Sequence, residues 1–433
     1  MIDMMYIALG DEAIPQIIEK KAEPLEQGGL IHSKMPGRFE EETLKLPKEA
    51  KNFDEMFEYA DAYGTVRLAY IRGAHKISNI LKEEKSASVI GGQFGIRTAA
   101  YKGFGLHIAT YISQNLGFVN QDKNTLNEDF FNIDKDSFAY LAEADVSYSD
   151  ERVDAKIGRI KIDTPYANSD DIRMAPNTFE GAWANIKYTE SLATQLVHIK
   201  KWAGYDSQDD IVFSQDKFKN LVNEESNGMT SASLIYKYDT EGEFSFWYNY
   251  IDKMSAISYA EISGRYFLDS DSFHIDYGVQ ASNLQELENS AIAGNVLGVM
   301  ALIDYNGLYF GGSYNKAFVK EGNFISNGFG GGPYFTSLDE ATIEAISEIS
   351  RKDSEAFRIG AGYDFVNAGL DGLVAELVYG ELYQGENKII EKDVIAAYEP
   401  DDKLKVEVIY TRYCSTDTIN DFDRVHMRMD YSF

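Results

Sequence analysis

Six histidines, His32, His75, His107, His198, His274 and His426, are the first candidates for acid–base or metal chemistry, and their spacing supports neither. No H-E-x-x-H or other metal-ligand spacing occurs. The single cysteine, Cys414, excludes a disulfide framework or a thiolate-based metal site within one chain. The glycine-rich run from Gly328 to Gly332 lacks a following G-K-[ST], and no G-x-S-x-G elbow appears. Asp134 and Asp136 begin like a calcium loop, but the required glycine and terminal glutamate are missing. No cofactor or metal is called for. The chain does place charge at alternate positions of apolar segments. By that alternation Arg67, Arg97, Arg159, Lys161, Arg265, Arg358, Lys405 and Arg428 share a face with Glu143, Asp145, Glu261, Asp276, Asp364, Glu376, Glu407 and Asp430. Charges arranged so can sort solutes electrostatically without making or breaking bonds.

The elements that must carry these charges are β-strands. A period of two recurs over 63–73, 86–101, 104–114, 138–149, 152–163, 180–189, 192–201, 229–239 and 242–251. It continues over 256–268, 271–282, 292–304, 307–317, 355–366, 372–384, 388–400, 403–413 and 423–433. In 242–251, Phe244, Phe246, Tyr248 and Tyr250 oppose Glu243, Ser245 and Asn249. In 138–149, Phe138, Tyr140, Ala142, Ala144, Val146 and Tyr148 oppose Glu143, Asp145 and Ser147. At the C-terminus, Val425, Met427, Met429, Tyr431 and Phe433 oppose Arg424, His426, Arg428, Asp430 and Ser432.

The connections alternate in length. Lys102-Gly103, Ser149-Asp150-Glu151, Thr240-Glu241, Asp269-Ser270, Tyr305-Asn306 and Asp401-Asp402 are short, whereas 115–137, 164–179, 202–228 and 318–354 are long. Long loops at one end and tight turns at the other predict an all-β transmembrane antiparallel barrel of about eighteen strands. An even count returns the C-terminus to the periplasm. The mean hydropathy of −0.33 fits, because an apolar exterior is averaged with a polar lumen and acidic loops. A charge of −29, from 41 Lys+Arg against 70 Asp+Glu, excludes nucleic acid as a partner.

The segment from Ser169 through Asp170, Asp171, Ile172, Arg173, Met174, Ala175, Pro176, Asn177, Thr178, Phe179 and Glu180 to Gly181 resembles an S-D-x-R-x-x-P-x-T-F-x-G-like stretch. OprD-type substrate-specific outer-membrane porins carry that stretch in an eighteen-stranded barrel. One extra residue separates Ser169 from Arg173. A second segment, Gly330-Gly331-Gly332-Pro333-Tyr334-Phe335-Thr336-Ser337, is similar to the corresponding loop of the epsilonproteobacterial branch. The terminal strand ending on Phe433 also resembles those of outer-membrane barrels, where a final Phe serves as the signal to the assembly machinery.

The resemblance implies a passive channel for small hydrophilic solutes in the outer membrane, surrounded by lipid and lipopolysaccharide, as a monomer or homotrimer. Inward-folded loops 164–179, 202–228 and 318–354 would narrow it, and a ladder of basic side chains would face acidic groups. Arg97, Arg159, Lys161 and Arg173 are the leading candidates for that ladder, with Asp170, Arg265 and Arg358 also lining the pore. Pro165, Pro176, Phe179 and Gly181 would shape the third outer loop, 164–179, while Arg173 either pins it or lines the passage. The acidic loops could bind Ca²⁺ or Mg²⁺, or could simply be solvated. Residues 1–62, with Pro15, Pro24, Pro36 and Pro47 and a helix over 52–60, read as a periplasmic extension before a barrel over 63–433. No signal peptide is visible. The alternative is a soluble or surface-attached β-rich binding protein or adhesin.

Overall fold

The computed structural model describes residues 49–77, 80–120, 122–205, 226–270, 273–416 and 421–433. Most of the proposed extension, and residues 206–225 of the long connection 202–228, lie outside them. Eighteen strands form one closed antiparallel barrel. They are β1 (Asp61–Ile77), β2 (Ile80–Arg97), β3 (Phe104–Asn115), β4 (Phe138–Ser149), β5 (Val153–Ile160), β6 (Thr178–Thr189), β7 (Leu192–Ala203), β8 (Met229–Asp239) and β9 (Gly242–Ile251). Then follow β10 (Ser255–Ser270), β11 (Phe273–Glu286), β12 (Gly294–Tyr305), β13 (Leu308–Phe318), β14 (Ser354–Asp364), β15 (Leu373–Gln384), β16 (Asn387–Tyr398), β17 (Leu404–Ser415) and β18 (Asp421–Ser432). Each strand pairs with its sequence neighbours, and β1 pairs with β18 from Thr65↔Ser432 to Lys76↔Asp421, which removes any open edge. The last residue completes the seam, with Phe433 N donating to Gly64 O at 2.9 Å.

The turn chemistry fits the short connections. Lys102 and Gly103 both adopt positive φ, 53° and 82°, as do Asn306 and Gly307, 54° and 81°; such pairs match the right-handed twist of the strands they join. No helix among the described residues is long and apolar enough to cross a membrane. A barrel crosses with strands instead, and its exterior carries the apolar residues. Phe244, Phe246, Tyr248, Tyr250, Met427, Met429 and Tyr431 are exposed on the outer wall, while Glu243, Ser245, Asn249, Arg424, His426, Arg428 and Asp430 are buried inside.

Register shifts occur in several of the pairings, and one of them overturns an expected face. In β4 the pairing steps from Ala109↔Glu143 to Thr110↔Leu141, leaving Ala142 as an extra residue. This bulge shifts the parity, so Phe138 and Tyr140 pack against the interior residues Tyr111 and Ala175 rather than facing lipid. The strand expected over 152–163 is shorter, ending at Ile160. The helix expected over 52–60 is α1 (Phe53–Glu58), N-capped by Asn52; it tucks Met56 against Ala50 and Ala99 at the short-turn end of the barrel.

Candidate functional site in the barrel lumen

Three of the long connections fold back into the barrel. The third, residues 161–177, starts as a tight hairpin in which Asp163–Thr164 pairs with Ala167–Asn168. Thr164 Oγ1 accepts from Ala167 N at 3.1 Å, and Ser169 Oγ accepts from Ile162 N at 2.9 Å, so local side chains satisfy buried amides. Pro165 and Pro176 are both buried in this loop. The long connection of residues 319–353 carries helix α2 (Ile343–Ser350), capped by Thr342 and closed by Arg351 in a left-handed conformation. The two loops bond to each other: Phe329 N donates to Tyr166 O at 3.0 Å and Asn168 N to Phe329 O at 2.9 Å.

Together they make an apolar cluster against one side of the wall. Tyr166, Phe329, Tyr334, Leu338, Ile343 and Ile346 join inward residues such as Trp183, Trp247, Tyr259 and Leu382. Phe179 is fully buried and stacks on Trp202, with centroids 6.2 Å apart. Gly181 is required at its position, since a β-carbon there would stand 2.0 Å from His198 O. Connection 116–137, which its acidic composition marks as external, also sends Leu126, Phe130 and Phe131 inward against Ala69, Ile71 and Met174.

The ionic groups gather on the other side, along β1, β18 and the neighbouring β17. Arg67 binds both oxygens of Asp430, at 2.8 and 2.7 Å, and both oxygens of Asp171, at 2.6 Å each. Its Nη1 also donates to Arg173 O at 2.9 Å, so one guanidinium fastens the third loop to two wall strands. Arg173 is buried; its Nε lies 3.3 Å from Asp129 and its Nη2 3.2 Å from Glu340, and its guanidinium sits 4.6 Å above the Tyr205 ring. Arg424 of β18 pairs with Asp339 and Glu340, and Arg428 lies 3.7 Å from Glu407 and 3.8 Å from Asp430. Burial disfavours the charge of Asp171, but the Arg67 guanidinium beside it holds the carboxyl down at about 2. On α2 the balance is reversed, and burial pushes Glu344 up to about 7.

The residues singled out from sequence are spread through the structure. Arg173 lies in the ionic centre, and Arg358 on β14 donates to Ser337 O at 2.9 Å, holding the loop of 319–353. Asp170 is partly buried, and its carbonyl accepts from Asn177 N at 3.3 Å. Arg265 is paired bidentately with Asp276 at 2.7 and 2.9 Å, near the periplasmic turns. Arg97 stacks over Tyr63 at 4.4 Å, close to Tyr63–His107–Asp145, a hydrogen-bonded chain of 2.6 and 3.0 Å. Lys161 is exposed beyond the end of β5, and its charge helps to lower Asp171.

Arg159 is a correction. It pairs in register with Ala144 and Glu180 and shares its parity with Ile157, which is 62% exposed on the outer wall. Its side chain therefore stands outside the barrel. The strand pairs with both neighbours without a register shift, so its alternation is intact; it carries charge on both faces, Asp154 and Lys156 inside and Arg159 outside, and polarity along the sequence therefore does not mark its lipid side. Arg67, Arg424 and Arg428, all inward by simple alternation, carry the centre instead. The carboxylates Asp129, Asp339 and Glu340 were hidden in loops, and their only sequence signal was the apolar residues around them, such as Phe130 and Leu338.

The OprD outer-membrane porin family model matches residues 98–431. The chain belongs to this family. Solved porins with the same fold include OpdK of Pseudomonas aeruginosa, crystallised with vanillate. It is 16% identical, with a TM-score of 0.72 over 87% of this chain and 99% of that one. A BenF-like porin of Pseudomonas fluorescens Pf-5 is 15% identical, with a TM-score of 0.74 over 87% and 99%. OccAB4 of Acinetobacter baumannii is 15% identical, with a TM-score of 0.72 over 86% and 98%. No curated protein sequence matches the chain. The porin is an outer-membrane β-barrel channel for small solutes, set in the lipids of that membrane.

Proposed function

We propose that the porin passes small carboxylate-bearing solutes along the polar side of its lumen, past Arg67, Arg173, Arg424 and Arg428. The apolar cluster of loops 161–177 and 319–353 narrows the opposite side. The observation that carries this reading is the convergence of four buried guanidinium groups from β1, β18 and the third loop. A permeating carboxylate exchanges water for these donors, and the resident carboxylates keep the binding weak enough to release it. The vanillate crystallised with OpdK is a carboxylate of this size class, which supports the reading. Transport is passive, with no chemistry on the solute.

A second reading rests on the charge count. Asp129, Asp171, Asp339, Glu340, Glu407 and Asp430 outnumber the four arginines, six against four. A zwitterion could meet both signs at once. Bilayer recordings with competing benzoate-like acids, amino acids and choline separate the readings. Block by simple acids supports the first, block only by amino acids supports the second, and block by choline alone refutes both. The same proposal assigns residues 1–62 to the periplasm and the strand ending at Phe433 to recognition by the assembly machinery. Cross-linking in membranes reads whether the porin is a monomer or a homotrimer.

A further inference from the structure

The exterior wall over β4–β8 combines two features. First, it is hollowed. Ala182, Ala184 and Ala232 occupy outward positions beside the larger Val146, Ile157 and Leu196, leaving an almost wholly apolar groove of about 540 Å³. At its upper end His198 Nδ1 and Thr230 Oγ1 lie 2.8 Å apart. Second, the outer rim above it is cationic. Arg159, Glu180 and Lys201 follow one another across β5, β6 and β7 on the outer face, with Glu180 3.8 Å from Arg159 and 3.1 Å from Lys201. The pairing steps from Glu180↔Lys201 to Gly181↔Ile199, so Lys200 is an extra residue. Ile199 and Trp202 on either side are buried inside, which puts both lysines on the exterior. Among the described residues three cations and one carboxylate meet there, in a chain whose overall charge is −29.

Charges on the outer wall of a barrel are tolerated only at headgroup level, and a cationic excess there favours anionic headgroups. We infer that this face binds a phosphorylated, acylated lipid of the outer leaflet, with the chemistry of lipid A. One acyl chain lies in the alanine groove, and a phosphate rests on Lys200, Lys201 and Arg159. The groove and the basic rim are adjacent in register, His198↔Ala182 lying two residues below Lys201↔Glu180 on β6, so one molecule can engage both. The inference does not depend on the solute the pore carries.

Native mass spectrometry of the full-length, detergent-solubilised porin tests it. The probes are bisphosphorylated lipid A, its fully dephosphorylated form and inorganic phosphate as competitor. The wild type is expected to bind lipid A at least tenfold more tightly than the dephosphorylated form. Replacing both lysines, K200S/K201S, should erase most of that preference, a loss of roughly ten- to thirtyfold. A184F should weaken both lipids by filling the groove. The single variant K200S, on the exposed bulge, gives a smaller loss in the same direction and secures the test should the double variant not fold. Heat-modifiable gel migration verifies folding. Equal binding of both lipids, unchanged binding by K200S, or displacement by inorganic phosphate with no effect of A184F would overturn the inference.

Discussion

Replacing Arg67 by alanine tests the ionic centre most sharply, because that one side chain ties three parts of the barrel together. It gives two bonds to Asp171 at 2.6 Å, one to Arg173 O at 2.9 Å and a bidentate pair to Asp430. Charge-assisted bonds contribute about 1.5–3 kcal/mol each when fully dry. Water in the lumen replaces part of this, so about 1 kcal/mol for each of the three bonds to the third loop is a reasonable discount. The tether is then worth about 3 kcal/mol, and its loss raises the undocked fraction of the loop by roughly 150-fold. R67A also leaves Asp171 and Asp430 without their shared cation. In planar bilayers the variant should show larger, noisier single-channel currents and a reversal potential in a KCl gradient shifted toward cations. R159Q, altered on the outer wall, should match the wild type in both. Unchanged conductance and reversal potential in R67A would refute the tether and the placement of Arg67 on the solute path.

Other outcomes follow from the same geometry. R173A removes the contacts to Asp129 and Glu340 and should weaken block by organic acids several-fold, read as the concentration for half-block. Asp171, held at about 2 against an ordinary value of about 3.9, contributes stability in full above that ordinary value, and loses it progressively as pH falls from about 3.9 through about 2. Docking of the third loop, followed by protease protection, should therefore survive acidification from pH 7 to 4, whereas D171N should weaken it at every pH in that range. Glu344 works in the opposite sense. With its pKa raised to about 7, the folded state holds the proton more tightly than the unfolded chain, so stability falls as pH rises from about 4.3 to 7. Thermal unfolding of E344Q should show a flatter dependence over that interval. G181V places a side chain where a β-carbon would already stand 2.0 Å from His198 O. It should reduce the yield of heat-modifiable barrel severely.

Strand count, hairpin ends and the inside of most strands were legible in the sequence, because burial on a barrel is a strict two-residue alternation and one wall faces lipid. Phe244 to Tyr250 and Arg424 to Asp430 show this at its clearest. Alternation misleads where the backbone adds a residue. The bulge at Ala142 turns Phe138 and Tyr140 inward. Arg159 stands outside for another reason: its strand is in regular register but charged on both faces, so polarity does not mark the lipid side. The site was half legible. Arg173 stood out by its motif, and Arg67 and Arg428 by parity. Their loop partners did not, because no periodicity says where Asp129, Asp339 or Glu340 will point once a long connection folds back. The apolar residues Leu126, Phe130, Tyr334 and Leu338 within polar loops were the available sign that those loops are packed rather than solvated.

In the function proposed for the porin, a polar path lined by arginines, beside a packed loop cluster, admits small solutes selectively. Single-channel recording of the purified porin with a small aromatic carboxylate added to one side tests it most directly. Discrete, modest conductance steps blocked in a concentration-dependent way are expected, with the block reduced in R173A and R67A. A large conductance indifferent to the carboxylate, in wild type and variants alike, would contradict it.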